Sequence, residues 1–145
     1  MNVQSILAAK GNAVATIAAD RSLGDAVSAL GEHGIGALVV SNDGTHIDGI
    51  LSERDIVRSI ASLSRDSLDT PVSTAMSANV ITCQPADTID KLMAMMTERR
   101  IRHLPVIDGS GELAGIISIG DVVKHRLIEL EQENSQLHDY IEGRV

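Results

Sequence analysis

Apolar and polar positions along the chain follow two rhythms, and the succession occurs twice. A short extended run, Val14-Ala15-Thr16-Ile17, leads into a helical segment opened by Asp20 or Ser22. Both residue types cap helices by accepting from the first free backbone N–H groups. Two continuous apolar runs follow, Ala37-Leu38-Val39-Val40 and Ile47 to Leu51, separated by Asn42-Asp43-Gly44-Thr45. Such runs between turn residues predict buried strands, and Asp-Gly between them predicts a hairpin. A closing helix starts at Ser52. The order repeats from Val80-Ile81-Thr82-Cys83, through a helix opened by Asp87 or Thr88, to Leu104-Pro105-Val106-Ile107 and Leu113 to Ile117. The second hairpin turns at Asp108-Gly109-Ser110-Gly111, and its closing helix starts at Ser118. Ile89, Leu92, Met93 and Met96 recur at helical spacing and form one apolar stripe. Each copy therefore reads β-α-β-β-α.

Sliding the sequence against itself aligns the copies without a gap at an offset of 66. Identical pairs include Val14/Val80, Thr16/Thr82, Leu38/Leu104, Gly49/Gly115, Ser52/Ser118 and Asp55/Asp121. A unit of this length cannot bury its apolar face alone and needs a neighbour. The implied class is α/β (α+β), with both copies sharing one fold. The divisions expected are residues 1–61 (N-terminal segment and first copy), a polar linker at 62–73 containing Pro71, the second copy at 74–126, and a helical extension at 127–145. In that extension Val123, Leu127, Leu130, Asn134, Leu137 and Ile141 alternate spacings of four and three, the seam of a coiled coil, with Gly143 as a stop. One Asn at an a position fixes register in a dimer. A surface helix folded back on its own module fits the same pattern.

Composition narrows the function. The chain has 145 residues and a net charge of −8, and Tyr140 is its only aromatic. A general nucleic-acid binder needs a basic face, and strand-stacking surfaces need rings, so neither is expected. No apolar run approaches the ~20 residues of a membrane span, and the N-terminus lacks a signal-peptide pattern. With a single cysteine, Cys83, the expectation is a cytoplasmic protein without membrane association. The histidines are scattered, no Cys/His spacing suggests a metal, and no nucleophile elbow, P-loop or Rossmann fingerprint is present. No catalytic residue, metal or prosthetic cofactor is expected.

Two segments carry a specific resemblance: Gly49-Ile50-Leu51-Ser52-Glu53-Arg54-Asp55 and Gly115-Ile116-Ile117-Ser118-Ile119-Gly120-Asp121, the second preceded by Arg102-His103-Leu104-Pro105-Val106-Ile107-Asp108. With the tandem β-α-β-β-α order, the sequence over about residues 1–127 resembles the cystathionine-β-synthase (CBS) domain family. That resemblance implies two motifs packed sheet to sheet about a pseudo-twofold axis. It also implies two clefts between them that commonly hold adenine nucleotides, and a dimer. Basic residues just before the Leu-Pro-Val segment, here Arg102 and His103, often reach a phosphate in that family. The family's modules sense ligands, while chemistry resides in other domains.

The residues have a physical logic of their own. A Ser at a strand end, three residues before an Asp, puts a hydroxyl and a carboxylate in one mouth. The carboxylate can accept from both ribose hydroxyls, while helix N–H groups face a phosphate. The same spacing is a helix capping box, so Ser52/Asp55 and Ser118/Asp121 can serve as caps, as ligand contacts, or as both. Ile119-Gly120 leaves the second helix start open, whereas Glu53 and Arg54 crowd the first with charge. The second mouth is therefore expected to be the better site, with phosphate near Ser118, Gly120, Arg102 and His103. Ser52, Arg54 and Asp55 form the secondary mouth, and Thr16, Thr82, Ala37, Leu104 and Pro105 border the clefts. The expected function is a non-catalytic regulatory module for AMP, ADP, ATP, NAD(H) or S-adenosylmethionine, acting as a homodimer on an unidentified protein partner. A ligand-free dimerisation scaffold and a nucleotide-processing enzyme are the alternatives.

Overall fold

A computed structural model describes residues 1–143, with only the backbone described at 63–65. Residues 144 and 145 of the expected C-terminal extension lie outside the described residues. The order is α1 (Val3–Lys10), β1 (Thr16–Ile17), α2 (Leu23–His33), β2 (Ala37–Val40), β3 (Gly49–Ser52), α3 (Glu53–Leu63), α4 (Ile89–Arg99), β4 (His103–Ile107), β5 (Leu113–Ser118) and α5 (Ile119–Ile141). Two 3-10 turns, Ser64–Asp69 and Val72–Thr74, connect α3 to the second copy. The expected α/β class and tandem order are present. Ser22 and Thr88 cap α2 and α4 by accepting from the N–H groups of Asp25 and Lys91.

In the first copy β2 lies between β1, which it meets in parallel, and β3, antiparallel. The second copy keeps only the antiparallel β4–β5 pair as a sheet. The strand expected at Val80–Cys83 is reduced to one parallel bridge between Cys83 and Val106. Both hairpin turns are tied by an aspartate: Asp43 Oδ1 accepts from the N–H groups of Thr45 and His46, and Asp108 Oδ1 from those of Ser110 and Glu112.

The segments that precede the copies cross over. Val3, Ile6 and Leu7 of α1 lie in the core of the second copy with Ile89, Leu92, Leu104 and Ile117. Val72 lies in the core of the first copy with Leu23, Leu38 and Leu51, with Ala75 and Met76 packed against it. Residues 62–73 are therefore more than a linker: α3 runs to Leu63, and Val72 is wholly buried. Two glycines allow the crossings. A Cβ on Gly115 would stand 2.6 Å from Leu7 Cδ2, and one on Gly49 would stand 2.7 Å from Met76 Sδ and 3.0 Å from the Ser77 carbonyl.

Candidate functional site

Ser52 ends β3 and Asp55 lies in the first turn of α3, so the strand-to-helix junction presents both side chains together. One carboxylate oxygen, Asp55 Oδ2, accepts from the Ser52 N–H at 2.9 Å and from the Ser52 hydroxyl at 3.0 Å. The Asp55 N–H donates to Ser52 Oγ at 3.3 Å. The capping role is thus realised, and among the described residues nothing donates to Asp55 Oδ1.

A cleft of about 510 Å³ opens beside this junction. On one side stand Ser52, Glu53, Arg54, Asp55 and Arg58; on the other, Arg99, Arg100, Ile101, Arg102 and His103 arrive from the end of α4 and the start of β4. Gly36, Ile50 and Ser77 complete the lining. Five arginines therefore meet two carboxylates around one cavity, in a chain whose net charge is −8. Such an arrangement favours an anion. Gly36 keeps the centre narrow, because a Cβ there would lie 3.2 Å from Glu53 Oε1 and 3.3 Å from His103 Cε1. Burial pushes the His103 pKa below its ordinary value; Glu53 opposes this, while Lys10 and Arg102 reinforce it. His103 is accordingly a neutral hydrogen-bonding group near pH 7.

The second mouth is arranged differently. Ser118 and Asp121 form a full capping box on α5. Asp121 Oδ2, however, also holds Lys10 Nζ at 2.7 Å, and that ammonium donates to the Ile116 carbonyl at 2.9 Å. In the first copy the equivalent carbonyl, Ile50 O, accepts from the Ser77 backbone N–H at 2.9 Å, with no lysine beside it. Burial raises the Asp121 pKa, and the bonds from Lys10 and Ser118 more than reverse this, leaving it lowered.

Ser52, Arg54, Asp55, Arg102 and His103 thus line one cleft, while Ser118, Gly120 and Asp121 do not line it, although Ser118 sits opposite His103 across β4 and β5 and Asp121 holds Lys10. Arg102 and His103, expected at the second mouth, adjoin it through their backbone, where His103 pairs with Ser118, and also line the cleft beside the first mouth. The Arg102 carbonyl does accept from the Ile119 N–H at 2.8 Å, but its side chain lines the cleft of the first copy. Ala37, Leu104 and Pro105 are buried in or beside the cores and do not line the cleft. Thr16, exposed, and Thr82, half-buried, do not line it either. Sequence reasoning missed Arg58, which follows Arg54 by one helical turn, and Arg99 and Arg100 at the end of α4. Lys10 carries no sequence signal, because it precedes the repeat. Cys83 is buried, and burial pushes its thiol up to about 12, which leaves it inert. Among the described residues, no three His, Cys, Asp or Glu side chains gather as a metal site, and no helix is long and apolar enough to cross a membrane.

A duplicated β-α-β-β-α unit with a polar junction at each strand-to-helix turn and a charged cleft between copies defines a tandem-repeat α/β module. The sequence matches the CBS domain over residues 11–62 and again over 72–128, and the chain belongs to that family. It is 39% identical over 128 residues to the mitochondrial CBS domain-containing protein CBSX3 of Arabidopsis thaliana, covering 86% of this chain and 62% of that protein. The chain thus spans less than two thirds of that relative's length. A crystal structure of a CBS-domain containing protein from Agrobacterium tumefaciens superimposes with a TM-score of 0.81 at 48% identity, covering 86% of this chain and 98% of that one. A CBS domain protein from Pyrobaculum aerophilum, complexed with AMP, superimposes with a TM-score of 0.79 at 26% identity, covering 92% and 99%.

Proposed function

We propose that the protein is a non-catalytic regulatory module that binds a phosphorylated adenosine ligand in the cleft between Asp55 and the Arg99–His103 segment, and that it signals occupancy to a protein partner as a homodimer. One observation carries this reading: a carboxylate at a helix start, to whose Oδ1 nothing donates among the described residues, shares a cleft with an arginine-rich wall contributed by the other copy. Asp55 Oδ1 is suited to ribose hydroxyls, and the arginines to phosphates. The Pyrobaculum relative complexed with AMP supports the ligand class. Five arginines favour ADP, ATP or NAD(H) over S-adenosylmethionine, which carries no phosphate. Any base would rest on the aliphatic side chains of Ile50 and Ile101 and on the His103 imidazole, because no Phe, Trp or Tyr lines the cleft. Since the two walls come from different copies, a bound ligand would bridge them. Occupancy then changes their relative stability only as far as the ligand's affinity differs between the two states.

The test is a thermal-shift and calorimetric panel of AMP, ADP, ATP, NADH and S-adenosylmethionine against wild type, Asp55→Asn and Arg102→Ala. In Asp55→Asn the amide oxygen can still accept from the Ser52 N–H, so the cap survives while the charge is lost. Affinity for the best ligand should fall roughly 10- to 100-fold in either variant, as loss of charge-assisted hydrogen bonds implies. If no adenosine ligand raises the melting temperature, or Asp55→Asn binds like wild type, the proposal fails.

A further inference from the structure

The second part of α5 leaves an apolar stripe uncovered. Leu127, Leu130 and Leu137 are 55%, 44% and 57% exposed, and Ile141 is 72% exposed. Val123, 52% exposed, joins this stripe to an apolar groove of about 230 Å³ between α4 and α5, lined among others by Met93, Met96 and Val122. The helix runs for 23 residues without a break, about 34 Å at 1.5 Å per residue. Surface helices fold with one face covered, and here the face at seam spacing is the bare one.

The charges flanking the stripe identify what covers it. With Leu127, Asn134 and Ile141 at a and Val123, Leu130 and Leu137 at d, the g positions are Arg126, Glu133 and Tyr140, and the e positions are Lys124, Glu131 and His138. In a parallel pair, each g residue meets the e residue five positions later on the other helix. Arg126 then meets Glu131 of a second copy, and Glu133 meets His138, in both symmetry-related directions. An antiparallel pair centred on the same seam would instead set Glu131 against Glu131 and Glu133 against Glu133. It would also face Asn134 with a leucine. The exposed Asn134 finds a matching amide only when the helices run parallel and in register.

We propose that α5 pairs with α5 of a second copy of this chain as a parallel, in-register two-stranded coiled coil. The two modules then emerge on the same side, related by a twofold axis along the seam. This interface is separate from the ligand cleft and does not depend on the ligand assignment.

The test uses the full chain in analytical ultracentrifugation. Wild type should sediment as a dimer, and Leu137→Glu as a monomer whose circular-dichroism spectrum still shows a folded module and whose melting point no longer rises with protein concentration. Arg126→Glu should raise the dimer dissociation constant roughly tenfold, because two symmetric attractions become repulsions. Arg126→Glu combined with Glu131→Arg should restore it. Leu137→Cys should give a disulfide-linked dimer on mild oxidation, because buried Cys83 does not compete and only parallel in-register helices juxtapose residue 137 with itself. A monomeric wild type, a Leu137→Glu dimer, absence of charge-swap rescue, or absence of the Leu137→Cys cross-link would each overturn the proposal.

Discussion

Arg100 closes α4 in the left-handed region, with φ 55°, at the position where the first copy uses Gly34 with φ 62°. Among the described residues it is the only non-glycine with positive φ. A side chain in that conformation costs about 1 kcal/mol relative to glycine. The cost is borne where the side chain reaches the cleft. Arg100→Gly should therefore raise urea-unfolding stability by up to about 1 kcal/mol while weakening nucleotide binding. An affinity equal to wild type would remove Arg100 from the phosphate wall. Lys10 and Asp121 present the opposite case, a counter-ion fixed by the fold. The Asp121 pKa is lowered in the folded protein, so its contribution to stability is present above the unfolded value near 3.9 and is lost as pH falls through the folded value. Lys10→Met should destabilise by about 1 kcal/mol at pH 7. The gap between the unfolding curves of the two proteins should narrow below about pH 4. It should not close, because protonating Asp121 leaves the bond from Lys10 to the Ile116 carbonyl in place.

Among the elements, those that bury one face or one run were legible in the sequence. The stripe Ile89, Leu92 and Met96 is the buried face of α4, and Ala37–Val40 is buried at every position. Caps were legible because Ser22, Thr88 and Ser118 act through their own local N–H groups. The Ser-x-x-Asp junctions were located on the same grounds, but which mouth faces the arginines was not, since that depends on how one copy lies against the other. Val80–Thr82 carries strand-forming residues without being a strand; only Cys83 reaches its neighbour. α1 escaped notice because it lies outside the self-match and buries only Val3, Ile6 and Leu7. The clasp between β3 and the segment at 75–77 was equally invisible. There Ser77 and Ile50 exchange both backbone hydrogen bonds, at 2.9 and 3.0 Å, beside the bare Cα of Gly49. Gly49→Ala should cost about 1–3 kcal/mol in urea unfolding, as overpacking against backbone does. Gly115→Ala should cost less, because Leu7 meets the new methyl only with its side chain. Equal losses would show that the Ser77 carbonyl moves as freely as a leucine methyl.

At the scale of the whole molecule, the crossing segments tie the two copies together while leaving each with its own core. The second core is completed from residues that precede the first copy, and the first core from residues that precede the second. The arginine wall inherits this dependence. α1 packs on β5 through Leu7 and Gly115, β5 pairs with β4 from Leu113/Ile107 to Ser118/His103, and the start of β4 carries Arg102 and His103 into the cleft. Removing residues 1–11 deletes no cleft residue, and it frees the Asp121 carboxylate from Lys10. It also strips three buried side chains from the second core, each contributing about 1.5–3 kcal/mol. Hydrogen exchange followed by mass spectrometry should show faster exchange in α4, β4 and β5 of the truncated protein, with protection of β2 and β3 retained. Nucleotide affinity at the Asp55 cleft should fall with it, because phosphate contacts depend on holding Arg102 and His103 in place. If exchange rises equally in both copies, the cores are not separable. If affinity survives while β4 exchanges freely, the arginine wall does not need the second sheet to hold it.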